Sequence, residues 1–235
     1  FNNFDCRMFK RIVVMDYIAA RHNMVESQIR PNHVTNADVI DAMGAIPREK
    51  FVPNDVAGVA YADAALLIGE GRYLMAPMLV ARLLQDAHIS KNDLVLNIGC
   101  GSGYSVAVLA RIAKAVVAVE VDRVLAERAG ASMVELGVDN AMVVEAALAT
   151  GYAKQSPYDA IFFDGAAEEI PQIIFDQLAE GGRLVAVIAC VGSAGRSTGK
   201  AMVMTKISGK ISKTNIFDVV TPYLPGFFKE KAFEF

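Results

Sequence analysis

A short apolar run, Leu94-Val-Leu-Asn-Ile98, leads directly into Gly99-Cys-Gly101-Ser-Gly103-Tyr104. Glycines let a chain turn tightly and approach a ligand with no Cβ in the way, and a helix beginning there aims its free N–H groups at any anion held in the turn. A second apolar run ends at Glu120, twenty-one residues after Gly99. A carboxylate at that spacing can accept hydrogen bonds from both hydroxyls of a ribose. Turn and acid together predict a nucleotide-like ligand. The dinucleotide fingerprint wants a small residue at the sixth position of G-x-G-x-x-G, where this chain has Tyr104, so NAD and FAD are disfavoured. Cys100 and Ser102 read as loop fillers rather than nucleophiles. His22, His33 and His88 are isolated and suggest no base–nucleophile pair.

The elements that must hold this turn follow from periodicity. Leu94–Ile98, Ala115–Val121, Met142–Glu145, Ala160–Phe163 and Arg183–Ala189 are apolar runs separated mostly by helical patterns, which predicts a parallel sheet. Near-continuous hydrophobicity in Ala115–Val119 and Leu184–Ile188 predicts helices on both faces. Ala201–Ile207 and Thr214–Val220 around Gly209-Lys210 read as an antiparallel hairpin finishing the sheet. Upstream, a patchy helix from Met15 should end at Pro31, because a proline disfavours helix at the residue before it. A second helix follows the capping oxygens of Thr35 to Asp38. Residues 48–77 read as an irregular segment, and Met78–Ala87 restores helical spacing. Residues 1–92 are thus expected as a helical extension and loop packed on a ligand-binding core at 93–235.

Composition narrows the function. The 235 residues are 54% hydrophobic and 21% charged, enough for a folded core. A net charge of −3 from 23 basic and 26 acidic residues mixed along the chain gives no basic stripe for nucleic acid. The longest apolar stretch, Leu184–Val191, is far short of the ~18–20 residues of a spanning helix, so no membrane partner is expected. Cys6, Cys100 and Cys190 lack metal-ligand spacing, so no metal is expected and a reducing cytoplasm fits. Residues 1–14 do not read as a secretory signal, and Met15 is a candidate start.

The G-x-G-x-G turn with an acid closing the next strand resembles the S-adenosylmethionine loop of Rossmann-like class I methyltransferases. The implied fold is α/β, with a mostly parallel seven-stranded sheet, a C-terminal antiparallel hairpin and an N-terminal helical extension. The resemblance then narrows. Met24-Val-Glu-Ser-Gln-Ile29, Pro47-Arg-Glu-Lys-Phe-Val-Pro53, Ala60-Tyr61, Leu67-Ile-Gly69, Val95 to Tyr104, Pro157-Tyr-Asp-Ala-Ile161 and Gly181-Gly-Arg-Leu-Val185 occur in order. They resemble the protein-L-isoaspartate O-methyltransferase family from residue 24 to about 190, with a looser match at Tyr223-Leu-Pro-Gly226.

That resemblance implies methyl transfer from S-adenosyl-L-methionine to the carboxylate of isoaspartyl residues in damaged proteins, leaving S-adenosyl-L-homocysteine. The implied partner is a protein or peptide carrying a carboxylate. Cofactor contacts are implied at Asn97, Gly99, Cys100, Gly101, Ser102 and Gly103, at Glu120 and Val121, at Ala147 and Leu148, and at Asp164. Asp164 is expected just after the fourth strand of the sheet. The acceptor loop falls on Ile68, Gly69, Tyr73, Leu74, Met75, Ala76 and Pro77. Three departures stand out. Met75 replaces the loop serine, so no catalytic residue is assigned. Neutral Asn97 replaces the acid facing the methionine ammonium. Ala146-Ala147-Leu148 replaces Gly-Asp-Gly, removing the partner of the adenine amino group, for which Glu145 and Asp164 remain open substitutes. The alternatives are a catalytically impaired, cofactor-binding regulatory protein and a methyltransferase with another acceptor.

Overall fold

The computed structural model describes residues 15–189 and 197–228. The readings made for residues 1–14, including Cys6, and for Cys190 lie outside the described residues. The centre is a seven-stranded sheet of β3 (Leu94–Ile98), β4 (Ala115–Glu120), β5 (Ala141–Glu145), β6 (Tyr158–Ala167), β7 (Leu178–Ala189), β8 (Ser197–Ile207) and β9 (Lys210–Thr221). Its spatial order is β5-β4-β3-β6-β7-β8-β9. The first five of these strands in that order pair in parallel, and the last two join antiparallel. β3 and β6 are neighbours from which the chain winds outward in both directions, so their carboxyl ends form the switch-point crevice where such sheets place ligands.

Local chemistry explains the helices. α2 (Ala37–Ala45) starts where the Asn36 side chain accepts from the Val39 amide, and α5 (Arg123–Glu135) where Asp122 accepts from Leu125. These carboxamide and carboxylate oxygens satisfy N–H groups that a helix start leaves unpaired. α3 (Pro77–Asp86) begins at a proline, α4 (Tyr104–Ile112) springs from Gly103, and α6 is Gln172–Asp176. One continuous buried cluster runs from Met24, Met43 and Phe51 through α3 and α4 to Val95 and Val185, so the N-terminal helices share the sheet's core.

Three expectations need correction. Pro31 does not end the first helical segment: α1 (Tyr17–Met24) widens into a π turn over Val25–Ile29 and tightens into a 3-10 turn, Arg30–Asn32, before left-handed His33. A proline fits within that final turn because its missing N–H is not needed there. The segment read as irregular contains a small antiparallel hairpin, β1 (Leu66–Gly69) and β2 (Arg72–Leu74), separate from the main sheet. Finally, β6 continues to Ala167, through a register shift between Phe162 and Ala166, so Asp164 lies within the strand and not after it.

Candidate functional site

The glycine turn sits at the carboxyl end of β3. Gly99, Gly101 and Gly103 have φ of 77°, 56° and 97°, the left-handed region that a side chain would strain. Gly103 is also a packing position: a Cβ there would lie 3.0 Å from Ala129 Cβ on α5. Glu120 ends β4 and is fully buried. Its Oε2 accepts from the Gly101 amide at 2.6 Å, and its Oε1 accepts from Val121 and Asp122 amides at 2.9 and 3.1 Å. Sequence order thus brings the carboxylate against the turn.

The side chain completing this arrangement was not legible in the sequence. Arg72, at the start of β2, donates Nε to Glu120 Oε1 at 3.2 Å and Nη2 to Oε2 at 2.7 Å. The same Nη2 donates to the Gly99 carbonyl at 2.9 Å. The pair is 3% and 0% exposed, so water does not screen it. The available signal was a lone charge between Gly71 and the apolar run Tyr73–Met75.

A second buried polar group lies beside the turn. Asp164 on β6 accepts from Ser105 Oγ at 2.5 Å and from Asn97 Nδ2 at 2.9 Å. Burial pushes its carboxyl up to about 6, against the opposing pull of those hydrogen bonds. Asn97 Oδ1 is buried with no hydrogen-bond partner, leaving an acceptor available at the position where the family carries an acid. Burial also raises the Cys100 thiol well above its ordinary range, with Glu120 acting in the same direction, which leaves it a neutral, unreactive filler.

The remaining candidates fall into separate groups. Ser102 Oγ donates to the Phe51 carbonyl at 2.5 Å and ties the turn to the N-terminal segment. Val121 is 43% exposed, Ala147 is exposed and Leu148 is buried in the core cluster that also holds Ile98, Val119 and Phe163. In the acceptor loop, Ile68, Leu74, Met75 and Pro77 are buried, while Gly69, Tyr73 and Ala76 are half-buried. The Met75 carbonyl accepts from Arg48 Nη2 at 2.6 Å, and its side chain belongs to the core cluster. Among the described residues no cluster of His, Cys, Asp and Glu is arranged to hold a metal, and no helix is long and apolar enough to cross a membrane.

The family model for protein-L-isoaspartate(D-aspartate) O-methyltransferase matches residues 19–225. A protein-L-isoaspartate O-methyltransferase of Methanoculleus marisnigri is 44% identical over 168 residues, 72% of this chain and 76% of the relative. One from Opitutus terrae is 38% identical over 190 residues, 81% of this chain and 80% of the relative. A solved protein-L-isoaspartate O-methyltransferase superposes with a TM-score of 0.76 at 27% identity, covering 88% of this chain and 66% of its own. A Plasmodium falciparum chain solved with S-adenosyl-L-homocysteine shares the fold, with a TM-score of 0.72 at 23% identity over 85% of this chain and 95% of its own. With the glycine turn and its carboxylate in place and the match extending over most of its length, the chain belongs to the protein-L-isoaspartate(D-aspartate) O-methyltransferase family.

Proposed function

We propose that this protein transfers a methyl group from S-adenosyl-L-methionine to a protein carboxylate, isoaspartyl groups being the first substrate to test. The observation that carries the reading is Glu120, fixed by three backbone amides beside a left-handed glycine turn at the sheet's switch point. The donor set suits the cofactor. Glu120 is the acceptor for a ribose diol, and the unpartnered Asn97 Oδ1 is an acceptor for an ammonium group. The space over the turn is filled by the chain's own side chains, so the cradle must open before it can be used.

The cofactor supplies a methyl group on a cationic sulfur. The acceptor carboxylate, with a pKa near ~4, is ionised at neutral pH, so no side chain need remove a proton. The protein's contribution is then orientation and exclusion of water around an in-line displacement. That accords with an apolar Met75 in place of a serine, although a thioether holds an acceptor less firmly than a hydroxyl does. A cytoplasmic setting suits such an enzyme.

The test is transfer of radiolabelled methyl from S-adenosyl-L-methionine to an isoaspartyl peptide, read as base-labile methyl ester. Incorporation at the isoaspartyl residue is expected. Binding of S-adenosyl-L-homocysteine without any transfer would replace this reading with that of a regulatory cofactor-binding protein. The buried Met75 and the Ala147 that stands where the adenine partner is expected are the observations favouring that second reading.

A further inference from the structure

We infer that Arg72 is a built-in competitor for the cofactor's ribose: the β1–β2 hairpin closes the nucleoside cradle by placing a guanidinium on Glu120, and the cofactor binds when that hairpin withdraws. The inference rests on the reading of Glu120 as the ribose acceptor.

Donor and acceptor counting supports it first. A carboxylate offers about four lone-pair sites. Glu120 receives Arg72 Nε and the Val121 and Asp122 amides on Oε1, and Arg72 Nη2 and the Gly101 amide on Oε2. Nothing is left for a diol. Three of those donors are backbone groups fixed by the turn and by the start of α5. Arg72 is the one donor carried by a separate element, so it is the one that ligand hydroxyls can replace.

Space points the same way. A Cβ built on Gly101 would meet Ile68 Cδ1 of β1 at 2.6 Å. One built on Gly99 would meet Leu224 Cδ2 at 2.5 Å and Arg72 Nη2 at 3.2 Å. The bare backbone a ligand would approach is therefore capped, on two of its glycines, by side chains from outside the β3–α4 unit. Two of the three caps, Ile68 and Arg72, belong to one hairpin. That hairpin pairs only with itself, is four and three residues long, and turns at exposed Glu70 and Gly71. Among the described residues it has no ladder in the main sheet, so what holds it shut is the burial of Ile68 and Leu74 together with the Arg72–Glu120 pair, and the ligand would replace the second of these.

A site competent only when open binds with its intrinsic affinity multiplied by the open fraction. Removing the competitor should therefore strengthen binding. The experiment is calorimetric titration of S-adenosyl-L-homocysteine into the full chain, into Arg72→Gln, and into Ile68→Ala, with circular dichroism to establish folding. Arg72→Gln is expected to bind at least tenfold more tightly than the unmodified chain, and Ile68→Ala several-fold more tightly. Affinity in Arg72→Gln equal to or below that of the unmodified chain would overturn the inference while leaving the cofactor reading intact. If Arg72→Gln does not fold, Ile68→Ala decides by the same criterion, since it leaves the ion pair whole. No binding by any of the three at millimolar ligand would take down the cofactor reading and the competitor with it.

Discussion

Two arginine–carboxylate pairs mark opposite ends of the sheet, and they differ in what the arginine belongs to. At the amino end of β3, Arg183 on β7 pairs with Asp93 and donates to the carbonyls of Ala87, His88 and Asp159. Asp93 also accepts from the Ser90 amide and hydroxyl. Both residues are part of the frame: the bonds join the end of α3, the start of β3 and two neighbouring strands. The pair is also partly wet, at 17% and 12% exposure. At the carboxyl end, Arg72 reaches Glu120 from a hairpin that is not part of the sheet, and the pair is dry. The same chemistry fastens the framework at one end and, at the other, covers the carboxylate proposed as the ribose acceptor. This follows the rule that open α/β sheets bind ligands at the carboxyl ends of their strands.

The contrast is testable by breaking each end. The largest effect is expected from Glu120→Ala. Removing one partner of a buried pair leaves the other uncompensated and typically costs about 3–5 kcal/mol, measurable by urea unfolding. The same variant should lose detectable binding of S-adenosyl-L-homocysteine. A loss near zero would mean that the Arg72–Glu120 contact does not exist in solution.

Asp164 comes next. Its folded pKa, about 6, lies above its ordinary value of 3.8, so the native chain keeps this proton at pH values where the unfolded chain has released it. The associated stability is fully present below about pH 4 and is lost as pH rises to about 6, a change of roughly 3 kcal/mol. Unfolding free energies of Asp164→Asn measured from pH 4 to 7 should lack that decline. Asp93 does not confuse the window. Burial pushes its carboxyl up, but the Ser90 amide and Arg183 outweigh this and hold it below the usual range, so its contribution is lost only at lower pH.

The smallest expected change tests the framework end. Arg183→Ala removes charge-assisted hydrogen bonds and should cost about 2 kcal/mol in urea unfolding. Affinity for S-adenosyl-L-homocysteine should remain within twofold. A tenfold change in that affinity would erase the distinction between the two ends.

What the sequence conveyed divides along the range of the interactions. β3, the glycine turn, α4 and the Glu120 that ends β4 were all readable, because each depends on residues close in the chain: an apolar run, glycines at left-handed positions, a helix start. The hairpin at 66–74 was not. Its strands are too short to show a period, and Ile68, Leu74 and Met75 read as parts of an acceptor loop in an irregular segment. The extension of β6 past Phe163 was hidden by the small residues and the acid in Asp164-Gly-Ala-Ala, which have little strand propensity and are held there by pairing with β7.

Chain order alone therefore determined that a carboxylate would stand next to a side-chain-poor turn, since sheet spacing and glycine conformation are local properties. Tertiary structure decided who faces that carboxylate. Arg72 lies 48 residues before Glu120, and their meeting depends on where the hairpin docks, on the burial that strengthens the charge pair, and on Ile68 and Leu224 closing over the glycines. None of these is encoded by spacing, because each is a contact between segments whose approach only the folded core fixes.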